Sequence, residues 1–75
     1  MNAGTKVPIA SVAVKTESYA FAHGRKPRGR GWWWFGFGGG VTYREFQAFG
    51  LYSEARRKAQ TFAASCGCRE VTVLP

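Results

Sequence analysis

The densest group of side chains suited to binding a partner in this 75-residue chain is a run of cations followed directly by aromatic residues. The run comprises Arg25, Lys26, Arg28 and Arg30, and then Trp32, Trp33 and Trp34. Cationic side chains neutralise phosphates, and aromatic faces stack on nucleic-acid bases. Positive charge also fits acidic protein surfaces, where tryptophans are frequent binding anchors. The pattern therefore predicts a binding surface for nucleic acid or for a protein.

A second cationic cluster, Arg56, Arg57 and Lys58, lies in a segment with helical periodicity. No acidic residue follows four positions along to pair with any of the three. The cluster is either an ordinary solvated helix face or a further contact for an acidic partner.

Catalytic and metal-binding chemistry finds little support in the sequence. His23 is the single histidine, and the four glutamates are scattered. Cys66 and Cys68 with His23 fall short of the four ligands of a structural zinc site. We therefore expect no enzymatic activity, no metal and no cofactor. Cys66 is expected to pack as a small apolar residue, and Cys68 to begin a strand.

Composition agrees with a small basic binding domain. The chain carries 11 Lys+Arg against 4 Asp+Glu, a net charge of +7, and its length suits one domain with one modest core.

There is no 18-residue apolar run to span a membrane, and the N-terminus lacks the continuous apolar stretch of a signal peptide. Residues 1–5 are expected to be frayed. A cytoplasmic location follows, in keeping with the few cysteines.

The elements that must position these side chains are mostly strands. Val12–Thr16 has strand chemistry, and alternation predicts that Ser18–Ala22 extends it. The loop of residues 24–31 is then the tip of a hairpin, Trp32–Phe37 is its second strand, and Tyr43–Leu51 is a third strand.

A helix and a closing strand complete the expected fold. Ser53 is the predicted N-cap, and Gly67 follows the helix end. The apolar stripe of this amphipathic helix consists of Ala55, Ala59, Phe62, Ala63 and Cys66. Arg69–Leu74 is the last strand, and a short extra strand could lie near Ile9. The prediction is an α+β fold in β-β-β-α-β order, with an antiparallel sheet of three to four strands and one helix on one face.

One helix covers one face of a sheet, so the alternating aromatics of the second strand cannot all be buried beneath it. Either Trp32 and Trp34 or the set of Trp33, Phe35 and Phe37 must point the other way. Whichever set faces away from the helix is exposed, covered by the N-terminal segment, or buried by a partner, which includes a second copy of the chain.

Three resemblances bear on function. Arg30–Phe37 approaches the RNP1 pattern of RNA-recognition motifs, but Trp33 replaces a small residue and that fold needs two helices where the sequence predicts one. The pattern from Phe21-x-His23-Gly24-Arg25-Lys26-Pro27-Arg28 through Gly50-x-Tyr52-Ser53-Glu54 to Val71-x-Val73-Leu74-Pro75 resembles small uncharacterised proteins of bacteriophages and mobile elements.

In size and plan the chain also resembles anti-CRISPR proteins, a group without a shared motif. That resemblance implies a phage-type inhibitor in a bacterial host cell, docking on a nucleic-acid-handling complex through the aromatic and basic hairpin. The alternative is a stand-alone nucleic-acid-binding protein that uses the same residues.

Overall fold

Four strands and two helices follow one another in β-α-β-β-α-β order in the computed structural model, which describes residues 7–75. They are β1 (Ala13–Lys15), α1 (Glu17–His23), β2 (Arg30–Phe37), β3 (Arg44–Leu51), α2 (Tyr52–Ser65) and β4 (Glu70–Val73). The α+β class is confirmed. The segment near Ile9 is a 3₁₀ turn, Ile9–Ser11, rather than a short strand, and the predicted frayed residues 1–5 lie outside the described part.

The strands form one sheet in the order β1-β4-β2-β3. β2 and β3 pair antiparallel over their full length, from Arg30 opposite Leu51 to Phe37 opposite Arg44. β4 pairs antiparallel with β2 but parallel with β1, so the sheet is mixed rather than purely antiparallel. β2, the aromatic strand, is therefore flanked on both sides.

The segment predicted to extend the first strand, Ser18–Ala22, is instead part of the helix α1. Tyr19 and His23, four residues apart, stack with ring centroids 4.1 Å apart, and Tyr19 is buried. Phe21, which would share a face with Tyr19 and His23 if the segment were a strand, is 93% exposed. In the helical conformation, Tyr19 is therefore the one aromatic residue of this segment that is buried in the core. Glu17 in the first turn and Gly24 just after the last residue are helix-boundary signals that outweigh the alternation.

The basic loop, residues 24–29, therefore connects a helix to a strand and is not a hairpin tip. Pro27 is buried in the middle of this exposed, cationic segment. The carbonyl of Gly29 accepts a hydrogen bond of 2.8 Å from the backbone N–H of Tyr52, the first residue of α2. These two anchors hold the loop against the domain beside the start of β2.

The core lies between α2 and one face of the sheet. Three alanines one turn apart, Ala55, Ala59 and Ala63, are buried on the helix. Their small side chains let the helix approach the large rings of β2, and Val71 and Val73 of β4 complete the contact. Phe35, Val71 and Val73 are fully buried.

Two details of the predicted helix differ. α2 begins at Tyr52, with Leu51 at the N-cap position, so Ser53 lies inside the first turn and does not cap it. Cys66 is exposed rather than packed, and Cys68 does not begin the last strand, because β4 starts at Glu70. The end is as predicted: the N–H groups of Gly67 and Cys68 bond to the carbonyls of Ala64 and Ala63, the Schellman arrangement that places a glycine after the helix.

Neither described helix has the length and apolar character needed to cross a membrane.

Candidate nucleic-acid interface

The side of the sheet opposite α2, here called the open face, carries two of the three consecutive tryptophans. Trp32 is 61% exposed and Trp34 is 44% exposed, whereas Trp33 between them is buried. Successive side chains of a strand point to opposite faces, and α2 covers the side of Trp33, Phe35 and Phe37. The predicted division of the aromatics is confirmed, with the Trp32 and Trp34 set on the outside.

β3 adds a third ring that the site prediction missed. Phe49 lies opposite Trp32 in the register of β2 and β3 and is 57% exposed. The rings of Trp32 and Phe49 meet edge to face with centroids 5.4 Å apart. The strand of Phe49 was predicted, but its pairing register was not, and only the register brings the two side chains together.

Tyr43 continues the aromatic surface at the far end of β2. A side chain on Gly36 would collide with the Tyr43 hydroxyl and ring, so the glycine leaves room for the ring to lie on the strand. The Tyr43 hydroxyl donates a hydrogen bond of 3.1 Å to Glu45. Loss of hydration, and then the nearby carboxylate of Glu45, raise the pKa of Tyr43 above its ordinary value.

At the other end of β2 the basic loop meets the tryptophans in a cleft, here called the basic cleft. Arg25, Arg28 and Arg30 line it together with Trp32 and Trp34. His23 of α1 and Leu74 and Pro75 after β4 form further walls, and the volume is about 210 Å³. Lys26 is exposed in the same loop but does not line the cleft. Three of the four predicted loop cations are therefore brought together with two of the tryptophans.

Charge is unevenly distributed along the open face. Within residues 7–75 the single ion pair is that of Lys15 and Glu70, at 3.9 Å between exposed side chains, so the loop arginines have no carboxylate partner there. Glu45 lies opposite Gly36, near the end of β2 that is farther from Arg30. Unpaired positive charge thus gathers at one end of the aromatic surface, whereas the other end carries Glu45 and the Lys15–Glu70 ion pair.

The remaining predicted site residues lie elsewhere. Trp33 is a core residue whose indole N–H donates a bond of 3.1 Å to the carbonyl of Gly50. The second cluster, Arg56, Arg57 and Lys58, is exposed on α2, which covers the opposite face of the sheet. The guanidinium of Arg56 lies 5.9 Å from the centre of the Tyr52 ring. These helix cations are separate from the open face.

The groups considered for catalysis or metal binding do not converge. His23 stacks on Tyr19, and its Nε2 lies 3.4 Å from the carbonyl oxygen of Pro75. Cys66 and Cys68 are free thiols. Among the described residues no three His, Cys, Asp or Glu side chains are grouped as metal ligands would be. What the arrangement offers chemically is flat aromatic surface beside unpaired positive charge.

Comparison with known proteins adds no relative, since no family, no curated protein and no solved structure matches the chain.

Proposed function

We propose that this chain is a binding protein rather than an enzyme, and that it holds single-stranded nucleic acid on its open face. Bases stack on the exposed rings of Trp32, Trp34 and Phe49, while arginines of the basic cleft contact phosphates. The observation that carries the proposal is the exposure of Trp32 and Trp34 directly beside Arg25, Arg28 and Arg30.

The aromatic arrangement favours a single strand over a duplex. In a duplex the base faces are covered by their neighbours, whereas an unpaired strand offers them to a protein. Side chains two residues apart on a strand are separated by roughly 7 Å, which suits bases that are splayed apart. Base–aromatic stacking is worth about 1–3 kcal/mol for each base, so two stacked bases supply roughly 2–6 kcal/mol. Together with phosphate contacts, this predicts affinity in the micromolar range at low salt.

The uneven charge makes the two ends of the open face unequal for a bound strand. Phosphates are attracted to the arginine end of the open face and repelled by Glu45 near the other end, where Glu70 is paired with Lys15. We expect the phosphate contacts to concentrate near Arg30 and the opposite end to contribute stacking only.

A salt series with fluorescent oligonucleotides tests the proposal. The single strand is expected to bind more tightly than the matching duplex, and log affinity should fall with log salt by about 0.7 for each phosphate contacted. Three contacting arginines predict a slope near −2. Replacing Arg25 and Arg28 by Gln should weaken binding and flatten the slope, whereas replacing Arg56 and Arg57 by Gln, which changes the charge equally, should alter both much less. Absence of binding at about 50 mM salt would refute the proposal.

A phage-type inhibitor that docks on a nucleic-acid-handling complex of a bacterial host is the second candidate. The observation that favours it is Leu51, which is exposed and lies two residues beyond Phe49 on the same strand. Aliphatic side chains do not stack on bases, but together with tryptophans they form the apolar centre of protein interfaces. This candidate predicts no oligonucleotide binding, and capture of one host complex that is lost when either Trp32 or Leu51 is replaced by Ala.

A second copy of the chain is the other protein occupant of the open face. Light scattering at micromolar concentration tests this directly, because two open faces in contact would double the mass. Because such a dimer would bury Trp32, the fluorescence of Trp32 should then be insensitive to a dissolved quencher. A monomer with accessible tryptophan fluorescence leaves the face free for nucleic acid.

A further inference from the structure

The basic cleft differs from an ordinary cationic surface because separate parts of the chain line it. The basic loop forms one wall, the first residues of β2 another, and the end of α1 and the segment after β4 complete the lining. Its volume of about 210 Å³ is below the roughly 300 Å³ at which pockets begin to enclose drug-sized ligands. It therefore suits one small charged group rather than a whole nucleotide.

The charge in the cleft suits a doubly charged anion. Three guanidinium groups, those of Arg25, Arg28 and Arg30, line it, and no Asp or Glu side chain does. A phosphodiester within a strand carries one negative charge, whereas a phosphate monoester carries about 1.5 to 2 near neutral pH. Guanidinium groups also bind phosphate oxygens in pairs, so a monoester with three free oxygens uses more of their donors.

We propose that the basic cleft is a site for a phosphate monoester, namely the terminal phosphate of the bound strand; this rests on the proposed function. Trp32 and Trp34 line the same cleft and extend onto the open face, so a strand whose end is held there continues directly over the exposed rings. The protein then recognises the end of a single strand rather than any position along it.

The experiment compares three oligothymidylates of equal length, with a 5′-phosphate, with a 3′-phosphate and with hydroxyls at both ends. One phosphorylated form is expected to bind about tenfold more tightly than the hydroxyl form, which is the effect of one additional charge-assisted hydrogen bond. Equal affinity for all three overturns the inference and leaves the proposed function intact.

Thymidine monophosphate and thymidine provide a measurement that does not depend on strand binding. The monophosphate should change the tryptophan fluorescence of the protein at concentrations where thymidine does not. If no oligonucleotide binds, the proposed function fails. The comparison of thymidine monophosphate with thymidine then tests the phosphate site in the basic cleft by itself. A response to the monophosphate upholds the phosphate site, and the absence of a response overturns it.

Matched variants separate a built site from diffuse positive charge. Arg28→Lys keeps the charge but loses the planar pair of donors, so it should remove most of the preference for the phosphorylated strand. Arg57→Gln removes a full charge from α2, away from the cleft, and should leave the preference unchanged. Retention of the preference in Arg28→Lys together with its loss in Arg57→Gln would overturn the proposal. Both positions are exposed, which favours folded variants.

Discussion

Trp32 and Phe49 face each other across β2 and β3 on the open face, edge to face, with ring centroids 5.4 Å apart. Edge-to-face contact is a favoured geometry for aromatic pairs and contributes about 0.5–1.5 kcal/mol beyond the burial of area. Both rings nevertheless stay more than half exposed. The pair is thus fixed in orientation before any partner arrives, which lowers the entropic cost of binding.

Replacing Trp32 by Ala should weaken binding of a single strand by about 1–3 kcal/mol, the value of one base stacked on an aromatic ring. Fluorescence anisotropy with a labelled oligonucleotide measures the change. Phe21→Ala is the matched control, because Phe21 is 93% exposed on α1 and outside the open face. Equal losses in both variants would show that the open face has no special role.

Replacing Gly36 by Ala should displace the Tyr43 ring from the sheet. The new methyl group would collide with the Tyr43 hydroxyl and ring, and the displacement would break the hydrogen bond to Glu45. The pKa of Tyr43 should then move back towards the ordinary 10.0, since its loss of hydration and its contact with Glu45 both diminish. Titration of the Tyr43 ring signals by NMR measures this shift, and Gly39→Ala, where a methyl group meets open space, is the control. An unchanged Tyr43 titration would contradict the packing described.

Stability should fall in alkaline solution because of Tyr52. Burial raises the pKa of Tyr52 above 10.0, and the charge of Arg56 partly opposes this. A raised folded-state pKa favours the protonated form, so its contribution to stability is complete below about pH 10 and is lost as pH rises through the folded value. Urea unfolding at several alkaline pH values measures how steeply the free energy of unfolding falls with pH. This fall should be shallower in Tyr52→Phe than in the parent protein, and an identical pH dependence would refute the assignment to Tyr52.

Replacing Gly67 by Ala should destabilise the protein by about 1–2 kcal/mol, because Gly67 has a φ of +79° that costs this much with a side chain. Its position completes the hydrogen bonds that end α2. Urea denaturation gives the change in unfolding free energy. Gly39→Ala is again the control, since φ at Gly39 is −157° and ordinary for any residue. A loss in Gly39→Ala as large as that in Gly67→Ala would contradict this explanation.

The sequence predicted the parts of the fold in which local and long-range preferences agree. Trp32–Phe37 and Tyr43–Leu51 lie within or close to the observed strands, and the alanine stripe of α2 is buried as its spacing requires. The parallel pairing of β1 with β4 could not be predicted, because these strands are far apart in the chain and their short apolar segments carry no signal of direction.

The error over Ser18–Ala22 has a definite cause. Alternating aromatic and small residues fit a strand, but the same segment places Tyr19 and His23 on one side of a helix. With that helix present, the chain has two helices where the sequence predicted one. The bulk of Trp33 is explained by its buried position against Tyr52 and Tyr19.

The candidate site was predicted in composition but not in arrangement. The loop arginines and the tryptophans were singled out from residue type and proximity in the chain. Phe49 and Tyr43 reach the open face only through the strand register, and the helix cations leave it because α2 covers the other side. Register and the choice of buried face depend on contacts between distant residues, which the local pattern does not contain.

The most direct measurement follows the indole N–H signals of the three tryptophans by NMR while a single-stranded oligonucleotide is added. Trp32 and Trp34 are exposed on the open face, whereas Trp33 is buried with its N–H bonded to Gly50, so the protein contains its own control. Binding on the open face predicts large shifts for Trp32 and Trp34 and little change for Trp33. Equal small shifts of all three signals at saturating oligonucleotide, or none, would contradict the account.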